Sequence, residues 1–493
     1  MSGVKIASLA RPDSGHSSRR RFVRGTLALG VLALVGCRSA GPGPANPAPP
    51  ATLTMLAETH PVPAVQGLLA QQARAAAREA GSALSLETMA LAALRPKLAS
   101  AVAAGQAPDL ALVGGADSAP LAARGLSWDL RDTLDRVVGL NGELFPPLRS
   151  VATTGPFVDR PADQPVPVWA VPHASLGGAW LVRQDLLAQK GLALPKTFDD
   201  VRSVGAKLAN AAGGTFGWGA GLPVSDAVDD LARVVLLGYG GSLFDSLGLQ
   251  VTLSTDAAAA GLQALARLYH GDDGSPLAPG GAVDWSPREI QAAFAAGVVA
   301  QTIDFGGVYA GIVSSQPAVR PDTVALPPPA GPRGWFTSVP TSFLVALRTT
   351  KGPARSASLI ERLLQPDRYD ALVRAGQGSV VPPYAYLTKG PFWDDDPNYP
   401  AFAANARGDP ARDFQFAPPG YPAPPTLPAA VVHGSGALAT ALRSVVSGET
   451  TPSAAASALK QRCAKLAEAA LALQPIPTPT PAPFWLKLLG PTT

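Results

Sequence analysis

The sequence predicts an α/β protein built in two lobes, and three observations carry that reading. At 493 residues the chain is too long for one ordinary core. With 47% apolar and 15% charged residues it has the composition of a folded globular chain. The stretch Leu98 to Asp117 reads as helix, tight turn, buried strand and loop, the repeating unit of a parallel sheet. Leu98, Ala101, Val102 and Gly105 fall near helical spacing, and Pro108 cannot continue the helix. Leu110 to Val113 is short and wholly apolar, as a strand covered on both faces is. Gly114 to Asp117 follow at its C-terminal end, the edge where ligands bind in open α/β sheets.

From the N-terminus, Ser18 to Arg24 read SRRRFVR, and an apolar run of about twelve residues from Gly25 to Gly36 follows, the length of a signal-peptide core. Leu34, Val35, Gly36 and Cys37 resemble the lipobox of bacterial lipoproteins, which implies a lipid on Cys37 and a place on the membrane's outer face. The arginines before Phe22 and Val23 resemble a twin-arginine signal. The net charge of +4 sits in this leader, since residues 38–493 hold 34 basic and 35 acidic side chains. No basic face for nucleic acid is expected. Two cysteines exclude a disulfide framework.

Residues 38–51, rich in Pro, Gly and Ala, read as a flexible tether. Thr52 to Leu56 is an opening strand. Val65, Leu68, Leu69, Ala73 and Ala76 then form the apolar stripe of a helix. Thr197 is a good N-cap for a helix from Phe198 to about Ala212. Phe216 to Leu222 reads as a Gly-rich strand, with further helices over Asp226 to Leu237, Asp256 to Tyr269 and Pro287 to Ala296. Strands follow at Thr323 to Leu326 and Phe343 to Leu347, and helices at Ala354 to Gln365, Asp367 to Gly376, Gly436 to Ser447 and Ser453 to Leu473. Gly390 to Pro428 has no assignable structure, and 474–493 is a Pro-rich tail.

The run KLASAVAAGQAPDL, its strand, and PLAARGLSWDL resemble the extracellular solute-binding proteins of ABC importers, family 1, carbohydrate type. Later segments match the family in order: GGAWLVRQDLLAQKGL, LPKTFDDVRSVGAKLANAAG, GYGGSLFDSLGLQVTLST and VVAQTIDFGGVYAG. The resemblance implies a two-lobed periplasmic-binding-protein fold of type II, the Venus-flytrap form, with three hinge crossings. It puts lobe 1 at 52–166 and 335–383 and lobe 2 at 167–334 and 384–473, the first crossing falling near Pro165 to Pro172. It further implies a sugar or related small polar solute, ABC permease subunits as partners, a membrane reached through the lipid anchor, and neither cofactor nor metal. The alternatives are a surface receptor of the same fold and a lipoprotein glycoside hydrolase with Asp117 and Asp226 as paired carboxylates.

Sugar binding asks for flat aromatic faces and a few polar groups in a pre-formed cleft. Loops expected to face the cleft supply Glu58, His60 and Asp117 from lobe 1, and Trp169, His173 and Ser175 from the first crossing. Ser225 and Asp226 follow the Gly-rich strand, Phe305 and Tyr309 the signature strand, and Trp335 and Ser338 lie near the return. Tyr309 takes the family's aromatic slot, expected to stack on ligand, while Trp128 and Trp180 read as core. No GxxxxGK[ST], HExxH, GxSxG or CxxC occurs. Ser457 to Lys460 matches SxxK without a KTG partner, and Gly217, Gly219 and Gly221 have the wrong spacing for a dinucleotide loop, so both read as structural.

Overall fold

A six-stranded sheet organises the first lobe of the computed structural model, which describes residues 51–155 and 165–473. The leader, Cys37 and the C-terminal tail lie outside the described residues. Strands β1 (Ala51–Glu58), β2 (Ser82–Met89) and β3 (Leu110–Gly114) run parallel, with the helices Pro63–Glu79 and Leu91–Ala103 between them. This is the expected βαβ series, and Val65, Leu69, Ala73 and Ala76 bury the predicted stripe.

The other half of the sheet alternates in direction. Strand β4 (Val171–Leu176) pairs antiparallel with β9 (Thr341–Ala346), β9 pairs antiparallel with β3, and β10 (Val380–Val381) edges β4. The first crossing therefore lies at Gly177 and Gly178, about ten residues beyond the expected Pro165 to Pro172, because the polar, bulged VPHASL run is held by a strand far away in sequence. A Cβ at Gly177 would sit 1.8 Å from the Gly378 carbonyl oxygen, so two crossing strands pass here at a distance only glycine permits.

Beyond the crossing, β5 (Ala179–Arg183) lies between β6 (Gln301–Asp304) and β7 (Thr323–Leu326), antiparallel to both. Around this sheet pack the helices Phe198–Leu208, Asp226–Gly238, Thr255–Tyr269, Ala437–Val446 and Pro452–Leu471. Thr197 caps Phe198–Leu208 in a full capping box with Asp200. The Gly-rich run at Phe216 makes one bridge to Val299 rather than a ladder, and Gly217 packs directly on the Gly205 backbone.

The return to lobe 1 begins later than residue 335. Strand β8 (Trp335–Thr337) pairs with β12 (Phe414–Phe416), which pairs with β11 (Gly408–Asp409), in a small separate sheet beside the hinge. The unassigned proline-rich segment thus supplies two short strands, the helix Tyr399–Asn405 and the start of the helix Leu427–His433. Leu427–Val446 has the length and hydropathy of a membrane span, but most of it is buried in this lobe.

One apolar cluster, with Met55, Leu110, Phe343 and Tyr369, fills lobe 1 and runs across the crossings to Phe294 and Phe402. A second, with Trp180, Trp218, Leu262 and Leu442, fills lobe 2. Trp180 is core as expected, stacked 4.7 Å from Trp218, and partly buried Trp128 packs on the first cluster.

Candidate functional site

Gly114 to Asp117, expected as a loop, begins the helix Gly115–Ala123 directly after β3. Asp117 therefore stands in a first helical turn, where the macrodipole favours a carboxylate. Facing it from lobe 2 is Asp226, first residue of the helix capped by Ser225. Arg95, on the lobe 1 helix Leu91–Ala103, joins the two. Its Nε donates to Asp117 Oδ1 at 2.7 Å, and its Nη2 donates to Asp226 Oδ2 at 2.8 Å. Nη1 donates to the Gly434 carbonyl of lobe 2 at 3.1 Å. Beside this contact the helices Gly115–Ala123 and Leu427–His433 pack through Ala119, Ala123, Leu427 and Ala430, so the lobes meet on a small apolar face as well.

Glu58, at the end of β1, joins the cluster. Burial, with Asp226 and Asp117 nearby, pushes its carboxyl up to about 7. Burial also raises Asp117 against the pull of Arg95.

A second charged group lies along the same lobe 2 helix. Arg233 donates through Nη2 to Asp230 Oδ1 at 2.5 Å and to Ser338 Oγ at 2.6 Å, and Ser338 Oγ donates to Asp230 at 2.9 Å. His433 Nε2 lies 3.2 Å from the same Asp230 oxygen, off the hydrogen-bond line, and Nδ1 has no partner. Burial works against both charges, yet each supports the other: Asp230 is held down at about 2, and His433 up at about 9. A helix apolar on every other face carries Asp226, Asp229, Asp230 and Arg233 at helical spacing. That spacing was the available signal for this group, since buried charge requires a partner.

The remaining expected residues divide. Phe305 and Ser338 line the space between the lobes. His60 and His173 are both buried enough to be pushed down to about 4, by burial and, for His173, also by His60. His173 bonds Ser342 and Ser175 bonds Thr341, both inside the sheet. Trp169 sits against Gly155, short of β4. Trp335 stacks on Phe414 and donates to the Pro328 carbonyl. Tyr309, expected to stack on ligand, is fully enclosed: its hydroxyl donates to Asp396 at 2.5 Å and accepts from Asn398, and its ring packs on Phe402. It lies on the inward face of the helix Val308–Ser315, away from the space that Phe305 and Ser338 line. Among the described residues no group of three His, Cys, Asp or Glu is placed to hold a metal ion.

The charge pattern fixes a pH dependence. His433 is raised from 6.5 to about 9, so its contribution is complete below pH 6.5 and lost as pH rises through 9. The expected fall in stability between pH 7 and 9 is on the order of 2 kcal/mol. His60 and His173 act oppositely, but only below pH 6.5. Urea midpoints at the two pH values should differ in the native chain and converge in His433→Gln; an equal fall in the variant would assign the effect elsewhere.

A family model described as bacterial extracellular solute-binding protein matches residues 81–345. No curated protein sequence matches the chain. Among solved structures, the chain is similar to an ABC transporter solute-binding protein from Thermotoga lettingae bound with α-D-tagatose, at 16% identity and TM-score 0.66, covering 85% of this chain and 100% of that one. It is similar to the GacH receptor of Streptomyces glaucescens, whose structures include a complex with acarbose, at 17% identity and TM-score 0.67, covering 85% and 99%. Maltose-bound MalE3 of T. maritima is similar at 17% identity and TM-score 0.66, covering 84% and 100%. These likenesses show the two-lobed periplasmic-binding-protein fold.

Proposed function

The chain belongs to the bacterial extracellular solute-binding proteins, and from that premise we propose that it captures a small solute between its lobes and delivers it to the permease subunits of an ABC importer. The observation that carries the reading is the contact at Arg95. It joins carboxylates of both lobes through a polar, partly solvated contact, one that a bound solute can replace as the lobes open and close. Asp117, Asp226, Phe305 and Ser338 are the expected residues best placed to meet a solute. Sugars head the classes to test, since tagatose, acarbose and maltose appear in the similar structures.

The leader adds an anchor: Cys37 carries the lipid that keeps the protein on the outer membrane face. Cys37→Ser is expected to move the protein from the detergent phase to the aqueous phase on partitioning, and an unchanged distribution would remove the anchor. Delivery is tested by uptake. Cells lacking the gene should lose uptake of the solute that the purified chain binds, and undiminished uptake would sink the transport reading.

A further inference from the structure

The contact at Arg95 gathers more acid than one guanidinium can serve. Ala57 pairs with Leu112, so Glu58, the next residue of β1, stands beside Val113 at the sheet edge where the helix Gly115–Ala123 begins. Asp226 reaches the same edge from lobe 2: a Cβ on Gly114 would lie 3.3 Å from Asp226 Oδ2 and 3.7 Å from Asp117 Oδ2. Both side chains are mostly enclosed, Asp117 at 14% and Asp226 at 11% exposure. Every nitrogen of Arg95 is already committed, Nε to Asp117, Nη2 to Asp117 and Asp226, and Nη1 to the Gly434 carbonyl. Three ionised acids against this one cation would leave uncompensated negative charge across the lobe contact.

The charges that face Glu58 are Arg95 from Leu91–Ala103, Asp117 from Gly115–Ala123 and Asp226 from Asp226–Gly238. Lys97, on the Arg95 helix, is paired with Glu87 of β2. His60, on the loop after β1, is held neutral by burial, at about 4. His433, at the end of Leu427–His433, bears on Asp117 and Asp226 and keeps its proton to about pH 9.

We propose that Glu58 is a proton switch on the lobe contact: with a proton on its carboxyl the lobes hold together through Arg95, and when the proton leaves, Glu58 and Asp226 repel across the contact and the lobes part. In the closed lobes burial, then Asp226 and Asp117, holds the Glu58 carboxyl up at about 7 against the pull of Arg95. Parting takes Asp226 away and admits water, so the carboxyl falls back toward its ordinary 4.5. The closed form therefore binds the proton more tightly. Its advantage is full in acid and is lost as pH rises through 7. A solute captured as proposed above is then held more tightly in acid than in mild alkali; only this consequence rests on that reading, because the lobe contact forms without solute.

Small-angle scattering of the purified full chain without solute, at about pH 5.5 and about pH 8, tests the switch. The expected result is a larger radius of gyration at the higher pH, the ratio of closed to open chains falling about tenfold. Glu58→Gln, neutral at every pH, should keep the smaller radius at both. Asp226→Asn, which removes the lobe 2 charge that Glu58 meets, should give one radius at both. Circular dichroism checks that each variant is folded, and either one suffices. Asp229, raised to about 7 by burial within lobe 2, is the control, and Asp229→Asn should widen as the native chain does. A native radius that is equal at the two pH values overturns the inference. So does a folded Glu58→Gln that widens like the native chain, or an Asp229→Asn that does not widen. These outcomes leave the proposed function standing, since its own failure shows as undiminished uptake in cells lacking the gene.

Discussion

Arg95→Ala is expected to part the lobes and to cost about 2 to 4 kcal/mol, because it leaves Asp117 and Asp226 facing each other without a cation. The figure lies below that for a fully buried pair because the Arg95 side chain is 27% exposed and water reaches it. Small-angle scattering should record a larger radius of gyration than for the native chain. The double variant Arg95→Ala, Asp226→Asn should recover part of the stability, since only one carboxylate then remains charged. Loss of stability without any change in scattering would mean that Arg95 holds lobe 1 together and does not clasp lobe 2.

Asp230→Ala is expected to be the most destabilising single change in the cleft, at about 3 to 5 kcal/mol. The Asp230 side chain is 3% exposed, and its removal strands Arg233 and His433 in the interior. Without the carboxylate, burial, helped by the Arg233 charge, opposes only the pull of Asp226 on His433, so its pKa should fall from about 9 toward or below its ordinary 6.5. Proton resonances of the ring across pH measure this directly, and a His433 that still titrates near 9 would contradict the assignment. The change should also remove the stability loss between pH 7 and 9.

The parts of the fold that were legible are those written in local pattern. Leu110 to Val113 is an unbroken apolar run, Val65 to Ala76 carries a helical stripe, and Thr197 is an N-cap, so each element begins as read, although the helix after Thr197 ends at Leu208 and not near Ala212. The first crossing was not legible. VPHASL alternates poorly, and what holds it in lobe 1 is β9, about 170 residues further along the chain.

The cleft divides on the same ground. Asp117 and Asp226 were visible because each follows a small-residue run at the edge where helices begin. Arg95 was not, because a lone arginine on an alanine-rich helix reads as a solvated charge, and its partner Asp226 lies 131 positions away. Tyr309 occupies the family's aromatic slot, but which side of its helix faces the cleft is decided by Asp396 and Asn398, in a segment whose sequence has no periodicity.

The central claim, that a solute is held between the lobes, is tested most directly by native mass spectrometry. The full chain would be incubated with a small-molecule extract of the cells that make it. The account predicts a one-to-one adduct of small mass, present on the native chain and lost when Val339→Trp fills the space that Val339 lines between the lobes. A chain that stays bare in the extract, or an adduct that survives Val339→Trp, would contradict it.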